Sequence, residues 1–268
     1  MASKSSDTKR RCIYCDRQGL TKEHVWGKWS RPHQLRQWRF SRHVLQTYPN
    51  GDLFAKPEVS RGHGDRPGAV RSQSLKIVCE ACNNGWLSLI AKDAAPVLTK
   101  LNYGGWPTLD HKAQEALSNW LGMFTINTEY FDQRTAMISE DARKRFFNEL
   151  SLDGEWFVAV GSFSEIPPSD QYFHRAFKGK DEPISAKVNF VRFGMMFAAV
   201  IWRQNGFDNY LSSQLRRLPL RVIHPKVWRE VPRPLLWHTE YSEEMIINSV
   251  SAYLNGYELI PIPLQTSI

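Results

Sequence analysis

All four cysteines of this 268-residue chain fall into two pairs with identical spacing. The pairs are Cys12-Ile13-Tyr14-Cys15 and Cys79-Glu80-Ala81-Cys82. A Cys-x-x-Cys turn directs two thiolates at one metal, and two such turns complete the four-sulfur shell of a structural zinc site. Four scattered cysteines would form two such pairs only about once in several thousand arrangements. The spacing therefore predicts one Zn²⁺ held by Cys12, Cys15, Cys79 and Cys82, although 63 residues separate the two turns.

Two other states of the thiols stay open: two disulfides, or four thiols buried as apolar side chains. Residues 1–11 are polar and basic without an apolar core, so they predict a flexible arm and not a secretory signal. The longest apolar run, Met195 to Trp202, is far shorter than the roughly 20 residues that a bilayer demands. We therefore expect a cytoplasmic, intracellular protein with reduced thiols and no membrane association.

The positive charge of the chain is confined to its first part. Residues 1–100 carry 18 Lys+Arg against 8 Asp+Glu, a net of +10, whereas the remaining 168 residues carry 17 against 19, a net of −2. Such a concentration is typical of a polyanion binder, because neutralised phosphates release condensed counterions. Aromatic residues interleave with the charge at 26–29 and 36–40, where they could stack against bases. We expect nucleic acid as the partner, DNA before RNA; the alternative is a solvated basic face with tryptophans packed beneath it.

The first hundred residues predict the order turn, strand, long insertion, strand, turn, helix. The predicted elements are a strand at 19–25, an insertion at 27–70 with strand-like pieces at 43–48 and 53–59, and a second strand at 74–78. A helix is predicted after Cys82, because apolar residues recur there near helical spacing. Pro96 is expected to kink this helix or to end it near Ala95.

These residues resemble the HNH endonucleases, the zinc-braced branch of the ββα-metal nucleases, over about residues 10–100. The matching pieces are CIYC, KEHV and CEACNNGW. In that family an acidic-His dipeptide ends the first strand, and His or Asn directly follows the second Cys-x-x-Cys. The resemblance implies that Glu23 and Asn83 bind a catalytic Mg²⁺ or Mn²⁺ and that His24 is the general base. The chain differs from the family pattern in the middle Asn, where Ser74 stands, and in lacking a proline after His24.

The residue types also suit phosphodiester hydrolysis without the resemblance. That reaction requires an activated water, a leaving 3′ oxygen and neutralisation of the charge that builds on the phosphoryl group. Glu23 and Asn83 offer the oxygen ligands that Mg²⁺ and Mn²⁺ prefer. His24 would point to the opposite side of the strand from Glu23 and accept the proton of the attacking water. The alternatives are an incidental exposed Glu-His pair and, for Asn83, a helix N-cap.

Four further residues are secondary candidates for the same site. Asn84 is a near substitute for Asn83, and Ser74 is a candidate for the group that orients the imidazole. His43 and His63, inside the insertion, could add a metal ligand or a substrate contact. The alternative for both histidines is an ordinary loop or core position.

The remaining chain predicts an α+β module of unknown type, so the whole chain is expected to be α+β with a zinc-braced ββα-metal module at 1–102 and a second module at 103–268. The predicted helices are 110–125, 139–150 and 242–254, and the predicted strands are 156–161, 171–177, 187–193, 195–202 and 220–223. The Pro-rich basic stretch 219–234 is either an arm across DNA or a solvated loop. The second module would select the substrate or a protein partner, or form a homo-oligomer.

The sequence thus favours a metal-dependent endonuclease that cuts DNA. A non-catalytic zinc-braced DNA-binding protein is the first alternative, and a protein-interaction adaptor is the second. The resemblance further implies a setting in a phage genome or a bacterial defence system.

Overall fold

The computed structural model describes residues 10–33, 45–47, 58–60, 73–131, 136–163, 171–179, 185–209, 213, 220–225, 236–237 and 259–261. Helices and strands are mixed in this part of the chain, so the α+β prediction is confirmed. None of the helices in these ranges combines the length and the apolarity that crossing a membrane would require.

An antiparallel strand pair carries the first half of the candidate site. Strand β1 (Leu20–His24) pairs with β4 (Ser74–Cys79), and a 3₁₀ turn (Lys28–His33) and a short pair, β2 (Leu45–Thr47) with β3 (Glu58–Ser60), lie between them in sequence. The register shifts by one residue between Thr21 and Lys22, which leaves Ile77 of β4 without a partner on β1. The Ile77 carbonyl instead accepts a 3.0 Å hydrogen bond from the Ile13 amide. This bulge therefore ties the first Cys-x-x-Cys turn to β4.

A helical segment follows β4 directly. It consists of α1 (Glu80–Cys82), a wider turn (Asn83–Leu87) and α2 (Ser88–Asn102). The predicted helix is confirmed, but it begins between the two cysteines instead of after Cys82. The prediction that it could end near Ala95 is wrong, because α2 continues through Pro96. Pro96 and Lys92 are both exposed, so water can satisfy the Lys92 carbonyl that the proline leaves without an amide donor.

Two further helices begin one residue after the predicted starts at 110 and 139. They are α3 (His111–Thr128), which continues into a 3₁₀ turn (Glu129–Phe131), and α4 (Glu140–Glu149). The Asp110 carboxylate accepts a 2.8 Å hydrogen bond from the Ala113 amide, and the Ser139 hydroxyl accepts one of 3.1 Å from the Ala142 amide. Each cap satisfies an amide that would otherwise lack a partner in the first turn.

The second half of the chain builds a mainly antiparallel sheet. Its strands are β5 (Trp156–Phe163), β6 (Gln171–Gly179), β7 (Ser185–Phe193), β8 (Met196–Arg203), β9 (Arg221–His224), β10 (Leu236–Trp237) and β11 (Leu259–Pro261). The order across the sheet is β10-β5-β8-β7-β6-β11, and β9 also pairs with β5. Val158 and Val160 contribute to one buried cluster, whereas Phe157 and Ala159 contribute to another. Strand β5 is apolar on both faces because both of its faces are covered.

The larger buried cluster includes residues from both predicted modules. It runs from Cys12 to Ile223, and Trp26, with no exposed surface, lies 4.7 Å from Phe124 and 5.6 Å from Phe193 between ring centroids. The boundary predicted at 102/103 therefore does not coincide with a boundary between buried cores. Described residues of both predicted modules share this buried core.

The end of α2 is also fastened to the sheet. The Asn102 carbonyl accepts a 3.1 Å hydrogen bond from the Met195 amide in the turn between β7 and β8. Gly194 in this turn has a φ of +58°, and a Cβ at that position would lie 2.3 Å from the same carbonyl oxygen. Glycine is required there both for the backbone conformation and for the close approach.

Two tryptophans of the basic part, Trp26 and Trp29, pack against the buried core. Trp26 is fully buried, and Trp29 is half-buried with its ring centroid 6.3 Å from that of Trp120. Trp26 therefore cannot stack against bases, and the alternative of aromatic packing beneath a basic face is correct for it. Several predictions lie outside the described residues: His43, His63, the aromatic contacts at 36–40 and the helix at 242–254. Of the basic stretch 219–234, the structure describes 220–225.

Candidate metal centre and active site

The four cysteines converge on one point. Their Sγ atoms all lie within 4.8 Å of one another, and Cys15 is 3.5 Å from both Cys79 and Cys82. All four are free thiols, so the two-disulfide alternative is wrong in this structure. Four sulfurs bound to one Zn²⁺ at about 2.3 Å would be about 3.8 Å apart, which is close to these separations. The cluster can therefore hold a zinc ion, and it is the only such metal-binding group among the described residues.

Local backbone geometry places the first two thiols. The Asp16 amide donates a 3.0 Å hydrogen bond to the Cys12 carbonyl, and the Cys12 amide donates one of 2.9 Å to the Arg17 carbonyl. This tight turn requires a left-handed backbone conformation at the residue after the second cysteine, and Asp16 adopts that conformation with a φ of +58°. Aspartate tolerates that conformation better than most residues with a side chain. On the other side of the site, Cys79 precedes α1 as its N-cap residue.

The thiols differ in how readily they ionise. Burial raises the pKa of both Cys15 and Cys82. Burial acts in the same direction on Cys79, but the Cys82 backbone amide and the neighbouring thiols donate hydrogen bonds that outweigh it, so the pKa of Cys79 is lowered. The buried site thus disfavours four bare thiolates. A divalent cation would supply the missing positive charge, and its binding would release the thiol protons.

Side chains from both halves of the chain enclose this cluster. The Tyr14 ring meets the Trp86 ring edge to face at 4.8 Å, and Trp86 lies 5.7 Å from Phe146 of α4. Arg143 of α4 donates a 3.1 Å hydrogen bond to the Ile13 carbonyl. These contacts hold the first Cys-x-x-Cys turn between the second turn and α4.

Glu23 and His24 end β1 on opposite faces of the strand pair, as predicted. Glu23 lies opposite Leu75, which packs against the core, and His24 lies opposite Ser74. Cross-strand partners share a face, so Glu23 faces the interior and the imidazole lies with Ser74 on the outer side. The sequence candidate for orienting the imidazole is therefore its cross-strand neighbour.

The surroundings of His24 keep its imidazole neutral. Burial lowers the pKa of His24, and the nearby cations Arg31 and Lys28 lower it further, while a hydrogen bond with the backbone of Gln73 acts in the opposite direction. Nη2 of Arg31 lies 3.3 Å from Nδ1 of His24. A guanidinium can only donate, so Nδ1 carries the lone pair in this contact. A neutral imidazole is the form that can accept a proton.

Glu23 lies in an environment that disfavours its charge. Burial raises the pKa of Glu23 to about 7, and Lys28 only partly opposes this rise. The carboxyl also lies close enough to Tyr14 to raise the pKa of the buried phenol, although burial contributes more to that shift. A cation bound beside Glu23 would reverse the penalty on its carboxylate form. Glu23 is therefore a side chain whose environment fits a metal ligand.

Asn83 is fixed against β1. Its Nδ2 donates hydrogen bonds of 2.9 Å to Thr21 Oγ1 and 3.2 Å to the Lys22 carbonyl. A carbonyl can only accept, so the amide nitrogen must face β1, which leaves Oδ1 directed elsewhere as a ligand atom. The alternative that Asn83 merely starts the helix is wrong, because α1 begins three residues earlier, at Glu80.

Other parts of this site were not found by sequence reasoning. Thr21 anchors Asn83, Arg31 contacts the imidazole, and the Gln73 backbone bonds to it. Of these three residues, only Arg31 belonged to a pattern visible in the sequence, the excess of basic residues in the first part of the chain. Asn84, the substitute candidate, is exposed.

No protein-family model matches the chain, and no curated protein or solved structure matches it. The likeness to HNH endonucleases is thus one of motifs within residues 10–100.

Proposed function

We propose that this protein is a metal-dependent endonuclease that hydrolyses phosphodiester bonds of DNA at an HNH-like, zinc-braced ββα site. The observation that carries the proposal is the gathering of Glu23, His24 and Asn83 at β1. Glu23 and His24 are adjacent on opposite faces of the strand, and Asn83 is bonded to the two residues just before them. The cysteine cluster lies where β4 meets α1, so a zinc ion there would fix the strand pair relative to Asn83.

His24 has the role of general base. Its imidazole is neutral, half-buried and paired in register with Ser74. It takes a proton from the attacking water, and the water oxygen then displaces the 3′ oxygen from phosphorus. The departing 3′ oxygen takes a proton from solvent. The products are a 5′ phosphate and a 3′ hydroxyl.

Glu23 and Asn83 have the role of holding the catalytic cation. Glu23 would bind through its carboxylate and Asn83 through Oδ1, the atom that the hydrogen bonds to β1 leave unused. When bound, Mg²⁺ or Mn²⁺ neutralises the charge that develops on the phosphoryl oxygens. The cysteine cluster takes no part in the chemistry, because all of its sulfurs are needed to close the zinc shell.

A non-catalytic DNA-binding protein is the second candidate. One contact favours it: Arg31 lies against Nδ1, the nitrogen that would have to receive the proton. In a nuclease this guanidinium must move toward phosphate before the base can act. In a non-catalytic DNA-binding protein, the Arg31 guanidinium could remain in contact with His24.

A plasmid-cleavage assay separates the two candidates. Wild-type protein with Mg²⁺ or Mn²⁺ should nick and linearise plasmid, and His24→Ala should abolish this while leaving zinc content and DNA binding nearly intact. His111→Ala is the matched control, because His111 is exposed at the start of α3. Wild-type activity that survives His24→Ala unchanged, on every DNA and RNA substrate tested, would sink the mechanism. Binding without any cleavage by the wild type would favour the second candidate.

A further inference from the structure

The outer face of the β1–β4 pair carries two lysines directly opposite each other. Lys22 and Lys76 are cross-strand partners, and both side chains are exposed. Alternation along the strands places them on the same face as His24 and Ser74. Like charges directly opposite each other destabilise a strand pair. This pairing costs stability in the free protein, and a bound anion would offset that cost.

Further cations surround the same face. Nη2 of Arg31 lies 3.3 Å from Nδ1 of His24, and the exposed Lys28 begins the 3₁₀ turn that carries Arg31. The nearest carboxyl along β1, that of Glu23, faces the interior beside Leu75. Within the described ranges neither Lys22 nor Lys76 has a carboxylate partner. The positive charge of this face is therefore uncompensated by the part of the chain that the structure describes.

We propose that Lys22, Lys76 and Arg31 form the phosphate-binding track of the protein, which receives the backbone of duplex DNA across the outer face of β1 and β4 beside His24. The proposal rests on the proposed function and deepens it by naming the surface. Ammonium groups act as point charges toward phosphate, whereas the planar guanidinium of Arg31 can donate two hydrogen bonds to one phosphate. Binding there would also draw Arg31 away from Nδ1 of His24.

Charge reversal at one lysine should move stability and DNA affinity in opposite directions. Lys22→Glu places a carboxylate opposite Lys76, so the unfolding temperature of the free protein should rise by about 1–3 °C. Its affinity for a labelled 20-base-pair duplex should fall. A merely structural lysine would not show this opposition. Lys112→Glu, at an exposed position of α3, is the matched control for the change in net charge.

Charge removal at both lysines should change the salt dependence of binding. For Lys22→Gln/Lys76→Gln, the slope of log affinity against log salt should lose about 1.8, since each phosphate contact contributes about 0.9. That corresponds to a loss on the order of 50-fold at 0.1 M salt. The measurements use the full chain with EDTA omitted, so that any bound zinc stays in place, and with Ca²⁺ in place of Mg²⁺.

The outcomes separate this proposal from the nuclease assignment. An unchanged salt slope in the double variant, or an equal affinity loss in Lys112→Glu, overturns the track even if the wild type cleaves DNA. A lysine-dependent slope in a protein that never cleaves supports the track and overturns the nuclease. Equal affinity for single-stranded DNA and for duplex DNA would overturn the proposal that the track binds the backbone of a duplex. A wild type that does not bind DNA overturns both.

Discussion

The hydroxyl of Tyr14, inside the first Cys-x-x-Cys turn, donates a 2.9 Å hydrogen bond to Oδ1 of Asn127 in α3. The two residues are 113 positions apart, and both are buried. This buried hydrogen bond joins the first Cys-x-x-Cys turn to the second half of the chain, so we expect the two halves to unfold together. A fragment of the basic first hundred residues alone would therefore expose side chains that the second half of the chain buries.

Tyr14→Phe should lower the free energy of unfolding by about 1–3 kcal/mol, because it leaves the buried Asn127 oxygen without a donor. Asn127→Ala should cost a comparable amount by removing the acceptor. The double variant should lose less than the sum, with a coupling energy on the order of 1 kcal/mol in urea denaturation. Strictly additive losses would show that the two groups do not interact in solution.

Purified under reducing conditions, the protein should contain one zinc per chain. Cys79→Ser should remove it and lower the free energy of unfolding by an amount on the order of several kcal/mol, because metal binding is coupled to folding. Elemental analysis and thermal denaturation with and without a chelator measure both effects. Disulfides, or a metal-free protein of unchanged stability, would contradict the zinc assignment.

Measuring cleavage against Mg²⁺ concentration should distinguish the proposed cation ligands, Glu23 and Asn83, from the proposed general base, His24. Glu23→Ala and Asn83→Ala should raise the Mg²⁺ concentration for half-maximal cleavage on the order of tenfold or more, and high Mg²⁺ should restore part of the rate. His24→Ala should not be rescued, since extra cation cannot accept a proton. Asn84→Ala is the matched control, because Asn84 is the exposed neighbour of Asn83. A stronger defect in Asn84→Ala would transfer the ligand role to that residue.

The sequence predicted what depends on local spacing. The cysteine cluster follows from two turns that each aim a pair of thiolates, and the starts of α3 and α4 follow from caps that bond only three residues ahead. The predicted end near Ala95 was wrong, because helix propensity takes no account of which face of α2 is exposed. Trp26 was misjudged because the basic residues around it concealed a core position whose partners, such as Phe124, are distant in sequence.

The pairing across β1 and β4 could not be predicted, because it depends on the bulge at Ile77. Without the bulge, pairing from Leu20 and Cys79 would set Lys22 opposite Ile77 and His24 opposite Leu75. The observed register instead sets Lys22 opposite Lys76 and His24 opposite Ser74. The bulge in turn uses the Ile77 carbonyl to hold Ile13, a tertiary contact that no local pattern encodes.

A buried carboxyl in the turn after α3 should make the stability of the protein depend on pH. Glu129 is fully buried, and its Oε2 accepts hydrogen bonds from the amides of Met137 at 3.0 Å and Ile138 at 3.3 Å. Burial raises its pKa from 4.5 to about 7, although the cation Lys187 and these amides oppose the rise. A pKa raised in the folded state means that the folded protein holds this proton more tightly than the unfolded chain. The contribution of Glu129 is therefore fully present below about pH 4.5 and is lost as the pH rises through about 7.

Glu129→Gln mimics the protonated carboxyl at every pH, so it isolates this contribution. Variant and wild type should be about equally stable near pH 4.5, and the variant should become more stable by up to about 3 kcal/mol at pH 8. Urea denaturation of both proteins at each pH measures the difference, in which the pH dependence of zinc binding cancels. Glu129→Asp is the companion variant: it keeps the titratable charge but shortens its reach to the Met137 and Ile138 amides, so it should lose stability at both pH values. A Glu129→Gln variant less stable than the wild type at pH 8 would show that the carboxylate is stabilised by Lys187 more than it is penalised by burial.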